Sequence, residues 1–181
     1  SLMHPEARDG LAHQLAASGL TLDAPWRVLD LGGRDINGSI RGLLPAAKWT
    51  GCDITSGPGV DLVHDATAPW PDGWDRFDLV VCTEVLEHVQ GWRDLLRTAA
   101  MALEPGAPEA LFVTCASTGR RPHGASGELD PPLGEWYANV APDEVGPVLS
   151  SCFRDVVVEY RALPGDVYAR AQGVTIKGEG S

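Results

Sequence analysis

The sequence has few basic residues, no long apolar run and no closely spaced cysteine pair. Its 14 Lys and Arg against 25 Asp and Glu give a formal net charge of -11, which disfavours binding to nucleic acid phosphates or anionic lipid. No apolar run approaches the roughly 20 residues that span a bilayer, and no basic segment followed by an apolar one opens the chain. Four cysteines without a C-x-x-C pair predict buried, reduced thiols. These absences favour a cytoplasmic protein without a membrane segment.

Length and composition are typical of one globular domain. The chain has 181 residues, 44% of them hydrophobic, with no internal repeat, low-complexity tract or interdomain linker. We expect a single domain over residues 3–178, with residues 1–2 and 179–181 as remnants of an expression vector. The sequence does not indicate an oligomeric state.

Short apolar segments alternate with helical patterns along most of the chain. Helices are predicted at residues 5–20, 39–44, 84–89, 92–103 and 142–151. Strands are predicted at residues 26–31, 48–54, 60–64, 77–82, 110–115, 153–160 and 167–171, with the turn signal LPGD between the last two. The alternation predicts an α/β fold, with a Rossmann-like, mostly parallel seven-stranded sheet, a C-terminal antiparallel hairpin and three αβα layers.

The connection between the second and third predicted strands is unusually short. Only residues 55–59 separate the two strands, whereas parallel neighbours normally need a crossover of a dozen or more residues. We therefore expect a shortened crossover from which the helix is missing.

The segment VLDLGGRDING carries the densest functional signal. It predicts a strand that brings Asp30 to its carboxyl end, where open α/β sheets bind ligands. Gly32 and Gly33 let the backbone pass close to a bound molecule, and the amides that open the next helix can hold an anionic group. Asp53 ends the second strand, where a carboxylate can accept two ribose hydroxyls, and Asp65 ends the third, where it can accept an adenine amino group. Together these three acids suit a cationic nucleoside cofactor.

These segments resemble the class I S-adenosylmethionine-dependent methyltransferases, over residues 26–171. VLDLGGRDING is similar to the glycine-rich first motif of the family, GCDI to its ribose-binding strand end and HDAT to its adenine-binding strand end. FDLVVCTEVLEHV resembles the fourth motif, and LEPGAPEALFVTCAS resembles the region of strand five. The resemblance implies S-adenosylmethionine as cofactor, bound by Asp30, Gly32, Gly33, Asn37, Gly38, Asp53, Ile54, Asp65, Ala66, Thr83 and Glu84.

Two features depart from the family pattern. The common G-x-G-x-G loop is stretched to GGRDING, so that Asn37-Gly38 takes the place of the last glycine. The crossover helix after the ribose-binding acid is absent, which leaves the wall near adenine open unless Trp70 or Trp74 covers it. The alternative for these two tryptophans is a role as loop anchors.

The resemblance implies that the acceptor pocket is formed by the segment before residue 26, the turn 83–88 and the loop 119–139. Within that loop, Trp136 and Tyr137 are expected to supply apolar surface for a small organic or sugar-like acceptor.

No catalytic residue is fixed by the motifs. His123 is either a general base for an oxygen or nitrogen acceptor or a solvated loop histidine. His88 is either catalytic or, like Glu87, a capping or packing residue. No metal site is predicted, because the spacing of His123, Glu128 and Asp130 matches no compact ligand pattern.

The implied activity is methylation of a small-molecule acceptor, at oxygen or nitrogen, with the acceptor itself left open. A non-catalytic, cofactor-binding regulatory or partner subunit would use the same acids and also stays open. A nicotinamide-dependent oxidoreductase is disfavoured, because the first loop lacks G-x-G-x-x-G. A nucleic-acid methyltransferase is disfavoured by the acidic charge and by the absence of an Asn/Asp-Pro-Pro-aromatic motif after the fourth strand.

Overall fold

A seven-stranded mixed sheet organises the molecule, for which the computed structural model describes residues 5–34 and 40–176. The strands are β1 Arg27–Leu31, β2 Lys48–Asp53, β3 Leu62–Val63, β4 Leu79–Thr83, β5 Ala110–Ala116, β6 Phe153–Arg161 and β7 Asp166–Val174. Their order across the sheet is β3-β2-β1-β4-β5-β7-β6.

The first five strands are parallel, and the last two form an antiparallel hairpin beside β5. Every residue of β5 is buried, and β4 is buried except at its last residue. Strands covered on both faces need apolar side chains in both directions, which explains the continuous runs LVVC and ALFVTC. The predicted Rossmann-like, mostly parallel sheet with a C-terminal hairpin is confirmed.

Helices cover both faces of the sheet, in the three-layer arrangement that was predicted. Helix α1 (Pro5–Ala17) packs Leu11 and Leu15 on one face. Helices α2 (Trp92–Met101) and α3 (Pro142–Ser150) bury their apolar sides in a larger cluster on the opposite face. The two clusters pack the sheet on both faces, and the loops at its carboxyl edge project from this packed scaffold.

Two of the helix predictions are wrong, because the structure has a single 3₁₀ turn at each place. The pattern over residues 84–89 gives the 3₁₀ turn Leu86–His88, because Glu84 has a φ of 55°, which no right-handed helix accommodates. The pattern over residues 39–44 gives the 3₁₀ turn Arg41–Leu43, and residue 39 lies outside the described residues. Pro45 follows closely and cannot continue a helix.

The shortened crossover is confirmed, and it packs directly on β2. We call residues 54–61 the crossover loop. The Asp61 amide donates to the Gly51 carbonyl oxygen (2.8 Å), and a Cβ placed on Gly51 would lie 1.8 Å from the Gly59 carbonyl oxygen. Arg41 also donates to that oxygen, over 3.1 Å. Because Gly51 has no side chain, the crossover loop can pack directly against β2 in the place where a crossover helix would otherwise lie.

The four cysteines are free and buried, as predicted. Burial raises the pKa of Cys52 to about 11, so its thiol stays protonated at neutral pH. Within residues 5–34 and 40–176, no helix combines the length and apolar character needed to span a membrane.

Candidate active site

A cleft of about 910 Å³ opens at the carboxyl ends of the parallel strands. Here β2 and β3 lie on one side of β1, while β4 and β5 lie on the other. Open α/β sheets bind ligands at such a reversal of strand order. Every described residue of the predicted cofactor set lines this one cleft: Asp30, Gly32, Gly33, Asp53, Ile54, Asp65, Ala66, Thr83 and Glu84. The other two predicted residues, Asn37 and Gly38, lie outside the described residues.

The glycine pair after β1 is required by close backbone packing. The amides of Gly32 and Gly33 both donate to the Cys52 carbonyl oxygen, over 2.8 and 3.1 Å. A Cβ on Gly33 would lie 2.7 Å from the Asp30 carbonyl oxygen, and a Cβ on Gly32 would lie 2.3 Å from Val85 Cγ2. The two amides thus join the first loop to β2, and neither points at a ligand.

Three acids stand at the carboxyl ends of β1, β2 and β3, as the sequence predicts. Asp30 is 8% exposed, whereas Asp53 is half-buried. The Thr55 amide donates to Asp53 Oδ1 over 3.1 Å, which fixes the orientation of that carboxylate. The Thr67 hydroxyl and amide donate to Asp65 Oδ1 and lower the pKa of Asp65. The local turns therefore hold carboxylates along one wall of the cleft.

The turn after β4 is strained and firmly anchored. Thr83 ends the strand, and Glu84 follows with its positive φ, a conformation that is uncommon for a non-glycine residue. The Glu84 amide donates to the Thr114 carbonyl oxygen (2.8 Å), and the Thr114 hydroxyl donates to the Glu84 carboxylate (3.3 Å). Arg120 Nη1 lies 3.9 Å from the same carboxylate. These contacts hold the turn in place beside the cleft that its residues line.

A group that we call the histidine cluster, formed by Glu87, His88, His123 and Tyr137, lies on the β4–β5 side. The ring centroids are 5.0 Å apart for His88 and His123, and both imidazoles line the cleft. Tyr137 packs edge-on against both rings. Glu87 lies behind the imidazoles with its side chain fully buried.

Burial controls the protonation of the histidine cluster. Burial first, and then the charge of Glu84, raises the pKa of Glu87 well above its ordinary value. The nearby amides of Glu87 and Ala116 and the charge of Arg120 act in the opposite direction, although neither Glu87 oxygen has a hydrogen bond of normal geometry. Burial and then the neighbouring His123 lower the pKa of His88 to about 4, so His88 is neutral at pH 7.

The structure decides between the alternatives for the two tryptophans and corrects two predictions for the acceptor pocket. Trp70 is an anchor, since it is 5% exposed, packs edge-on against Trp74 and donates to the Asp75 carbonyl oxygen. Neither tryptophan lines the cleft, and among the described residues nothing before Asp30 does. Trp136 is 45% exposed and also lies outside the cleft lining.

The sequence reasoning missed the role of Glu87 as a partner of the histidines. Glu128 and Asp130 were weighed with His123, but Asp130 instead pairs with Arg121 over 3.5 Å at the surface. Glu87 and His88 are adjacent in the chain, and the tight turn Leu86–His88 places both side chains next to His123. The available signal was the pair itself, Glu87-His88, which follows the buried strand β4 after three intervening residues.

The fold and the cleft define the class of protein. A parallel sheet of five strands with a reversed final hairpin, and acids at successive strand ends around one cleft, is the architecture of the class I S-adenosylmethionine-dependent methyltransferases. The chain belongs to the methyltransferase domain family, whose model matches residues 3–151.

Solved structures of low sequence identity share the fold. A DhpI–SAH complex has 18% identity and a TM-score of 0.62, and the match covers 93% of this chain and 85% of that chain. The 1,6-didemethyltoxoflavin-N1-methyltransferase of Burkholderia thailandensis has 17% identity and a TM-score of 0.61, covering 94% and 78%. The N-terminal domain of EvdMO1 has 17% identity and a TM-score of 0.61, covering 94% and 84%. A search of curated proteins finds no significant match in sequence.

Proposed function

We propose that this protein transfers the methyl group of S-adenosylmethionine to an oxygen or nitrogen atom of a small-molecule acceptor. The observation that carries the proposal is the cleft, which gathers the strand-end acids on one side and two imidazoles on the other. Its volume of about 910 Å³ leaves room for a small acceptor beside a nucleoside cofactor. We further propose that residues 3–178 form the single domain that carries out this reaction.

The residues of the cleft fit the cofactor. Asp53 is proposed to accept the ribose hydroxyls and Asp65 the adenine amino group, while the buried Asp30 attracts the ammonium group. Thr83 and Glu84 line the adjoining wall, next to the strained turn. When bound, the cofactor supplies a methyl group activated by a sulfonium. The protein contributes alignment, because holding donor and acceptor in line removes much of the entropic barrier.

The acceptor is proposed to lie against the histidine cluster. His88 and His123 line the cleft beyond the strand-end acids, with Tyr137 packed behind them. Two of the similar structures contain small polar molecules, namely 1,6-didemethyltoxoflavin in one and D-fucose in the crystals of another. These observations support a compact acceptor with hydroxyl or ring nitrogen groups.

Thermal unfolding with ligands tests the proposed cofactor. S-adenosylhomocysteine at about a hundred times its dissociation constant should stabilise the protein by about 2.7 kcal/mol. For a chain of this length, the unfolding temperature should then rise by roughly 5–10 °C. NADH at the same concentration is the control and should give no shift. A shift with NADH and none with S-adenosylhomocysteine would contradict the proposal.

A substitution of His123 tests the proposed acceptor end. The variant His123→Ala should raise the acceptor KM at least about fivefold, because the loss of one polar contact at the acceptor end of the cleft costs about 1 kcal/mol. The measurement is release of S-adenosylhomocysteine with a panel of phenols, amines and sugars. The exposed histidine variant His13→Ala is the matched control, since the His13 side chain is 59% exposed on α1, away from the cleft. Equal KM values in the two variants would remove His123 from the acceptor pocket.

A further inference from the structure

Three possible metal ligands converge inside the histidine cluster. Glu87 Oε1 lies 4.0 Å from His88 Nε2 and 3.9 Å from His123 Nε2. One ligand atom from each of the three residues lies within 4.8 Å of the other two. We propose that Glu87, His88 and His123 bind a divalent first-row transition metal ion at the acceptor end of the cleft.

The hydrogen bonding of His123 directs a lone pair toward the proposed ion. Its Nδ1 lies 3.2 Å from the Arg121 carbonyl oxygen. A carbonyl oxygen only accepts, so Nδ1 carries the proton in this contact and the neutral ring keeps its lone pair on Nε2. Metal-binding histidines usually donate their second ring nitrogen to a carbonyl or carboxylate in this way.

His88 has a carboxylate behind its ring, at a distance too long for a hydrogen bond. Its Nδ1 lies 3.8 Å from the Glu135 carboxylate, and its Nε2 is the nitrogen that faces Glu87. A carboxylate beside Nδ1 favours the tautomer with its proton on that nitrogen. Both imidazoles therefore present a lone pair to the Glu87 carboxyl group. Behind the His123 ring a carbonyl oxygen lies within hydrogen-bond distance, whereas the carboxylate behind the His88 ring lies beyond it.

The buried Glu87 carboxylate is the strongest indication of a ligand. Its side chain is 0% exposed, and neither oxygen has a hydrogen bond of normal geometry within the part of the chain that the structure describes, although the amides of Glu87 and Ala116 lie nearby. Arg120, the nearby cation, is directed to Asp166 and Glu84. A fully buried carboxyl group without a hydrogen bond of normal geometry is unfavourable, and a cation between it and the two imidazoles would coordinate its oxygen.

The geometry and chemistry of the group suit a transition metal. Two ligands that are each about 2.1 Å from an ion are separated by at most about 4.2 Å. The two Glu87–histidine distances lie just below this limit, so the three ligand atoms, which lie within 4.8 Å of one another, would move closer together around a bound ion. Two imidazoles and a carboxylate favour zinc, manganese, iron or cobalt over the oxygen-liganded magnesium or calcium. Glu87 closes the site from the protein interior, while the imidazoles line the cleft. The remaining coordination positions would face the acceptor.

This position defines a role that rests on the proposed function. A hydroxyl acceptor that binds the ion is more acidic and loses its proton to water more readily. Its oxygen then forms the bond to the methyl carbon, while the carbon–sulfur bond breaks and its electron pair stays on sulfur. In the metal-bound protein both histidines are ligands, so neither serves as the general base.

Metal titration of the stripped protein tests the site. After treatment with EDTA and dialysis, the protein should bind one equivalent of Zn²⁺ by calorimetry, and Co²⁺ should give visible absorption bands. His123→Ala is the main variant, because His123 lies in a partly exposed loop and its removal leaves the core intact. We expect its Zn²⁺ affinity to fall by roughly 100-fold and the Co²⁺ bands to disappear. Glu87→Gln, which is nearly isosteric, should give the same result.

The control His13→Ala removes a surface histidine that also lies near a carboxylate, with His13 Nε2 3.8 Å from Glu159. It should bind Zn²⁺ as the wild type does. Equal Zn²⁺ affinity in His123→Ala and His13→Ala, or no binding by the wild type, would overturn the metal site.

Ligand shifts separate this proposal from the proposed function. His123→Ala should keep the S-adenosylhomocysteine-induced thermal shift, and Asp53→Ala should keep Zn²⁺ binding. If the wild type binds Zn²⁺ but shows no S-adenosylhomocysteine shift, the proposed function fails and the metal site stands. If only the ligand shift is observed, the metal site fails and the proposed function stands.

Discussion

Asp53→Ala is expected to abolish most of the stabilisation by S-adenosylhomocysteine. Asp53 lies at the carboxyl end of β2 on the cleft wall, where its carboxylate is proposed to accept the ribose hydroxyls. Hydrogen bonds to a charged group contribute about 1.5–3 kcal/mol each, so their loss should weaken binding about 100-fold or more. At a ligand concentration that stabilises the wild type by about 2.7 kcal/mol, the variant should then gain only about 0.4 kcal/mol.

Two further variants make this result specific to ligand binding. Asp53→Asn keeps an oxygen for the Thr55 amide and should fold normally, but it loses the charge and should bind more weakly than the wild type. Asp155→Ala removes an exposed aspartate on β6, at the opposite edge of the sheet, and should keep the full ligand shift. A full shift in Asp53→Ala would refute the ribose contact.

Gly51→Ala is expected to lower the free energy of unfolding by about 3 kcal/mol. Its Cβ would lie 1.8 Å from the Gly59 carbonyl oxygen, and that backbone atom cannot move aside as a flexible side chain can. The Gly59 oxygen is also held by Arg41, and the Asp61 side chain accepts from the Gly51 amide over 2.8 Å. The added methyl must therefore push the crossover loop away from β2, at the upper end of the cost of overpacking.

Urea titration measures this effect, with Gly42→Ala as the matched control. Gly42 has no atom within 4 Å of a Cβ placed on it, so its substitution should change stability by less than about 0.5 kcal/mol. If the two variants unfold at the same urea concentration, the crossover loop does not rest on the strand.

Much of the fold could be predicted because it depends on local patterns. β4 and β5 are apolar throughout, since both of their faces are covered, and such runs are visible in the sequence. The short connection after β2 was also visible, because chain length alone excludes a full crossover helix. The packing that makes this connection possible was not visible in the sequence, because it depends on the contact between Gly51 in β2 and Gly59 in the crossover loop.

The cofactor side of the site could be predicted for a similar reason. Asp30, Asp53 and Asp65 follow apolar strands, and the carboxyl ends of parallel strands meet at one edge of a sheet. The use of the glycine amides could not be predicted, since they donate to Cys52, which belongs to the neighbouring strand.

The sequence by itself determined the class of fold and the strand-end acids, because hydrophobic periodicity and strand-end positions are local properties of the chain. The expected cofactor followed from the resemblance of these motifs to a known family. Only the tertiary structure decided what lies opposite those acids. Glu87 and His88 meet His123 because a strained turn after β4 and a loop after β5 end at the same edge of the sheet. Convergence of side chains from different loops depends on strand order and packing, and no local pattern encodes it.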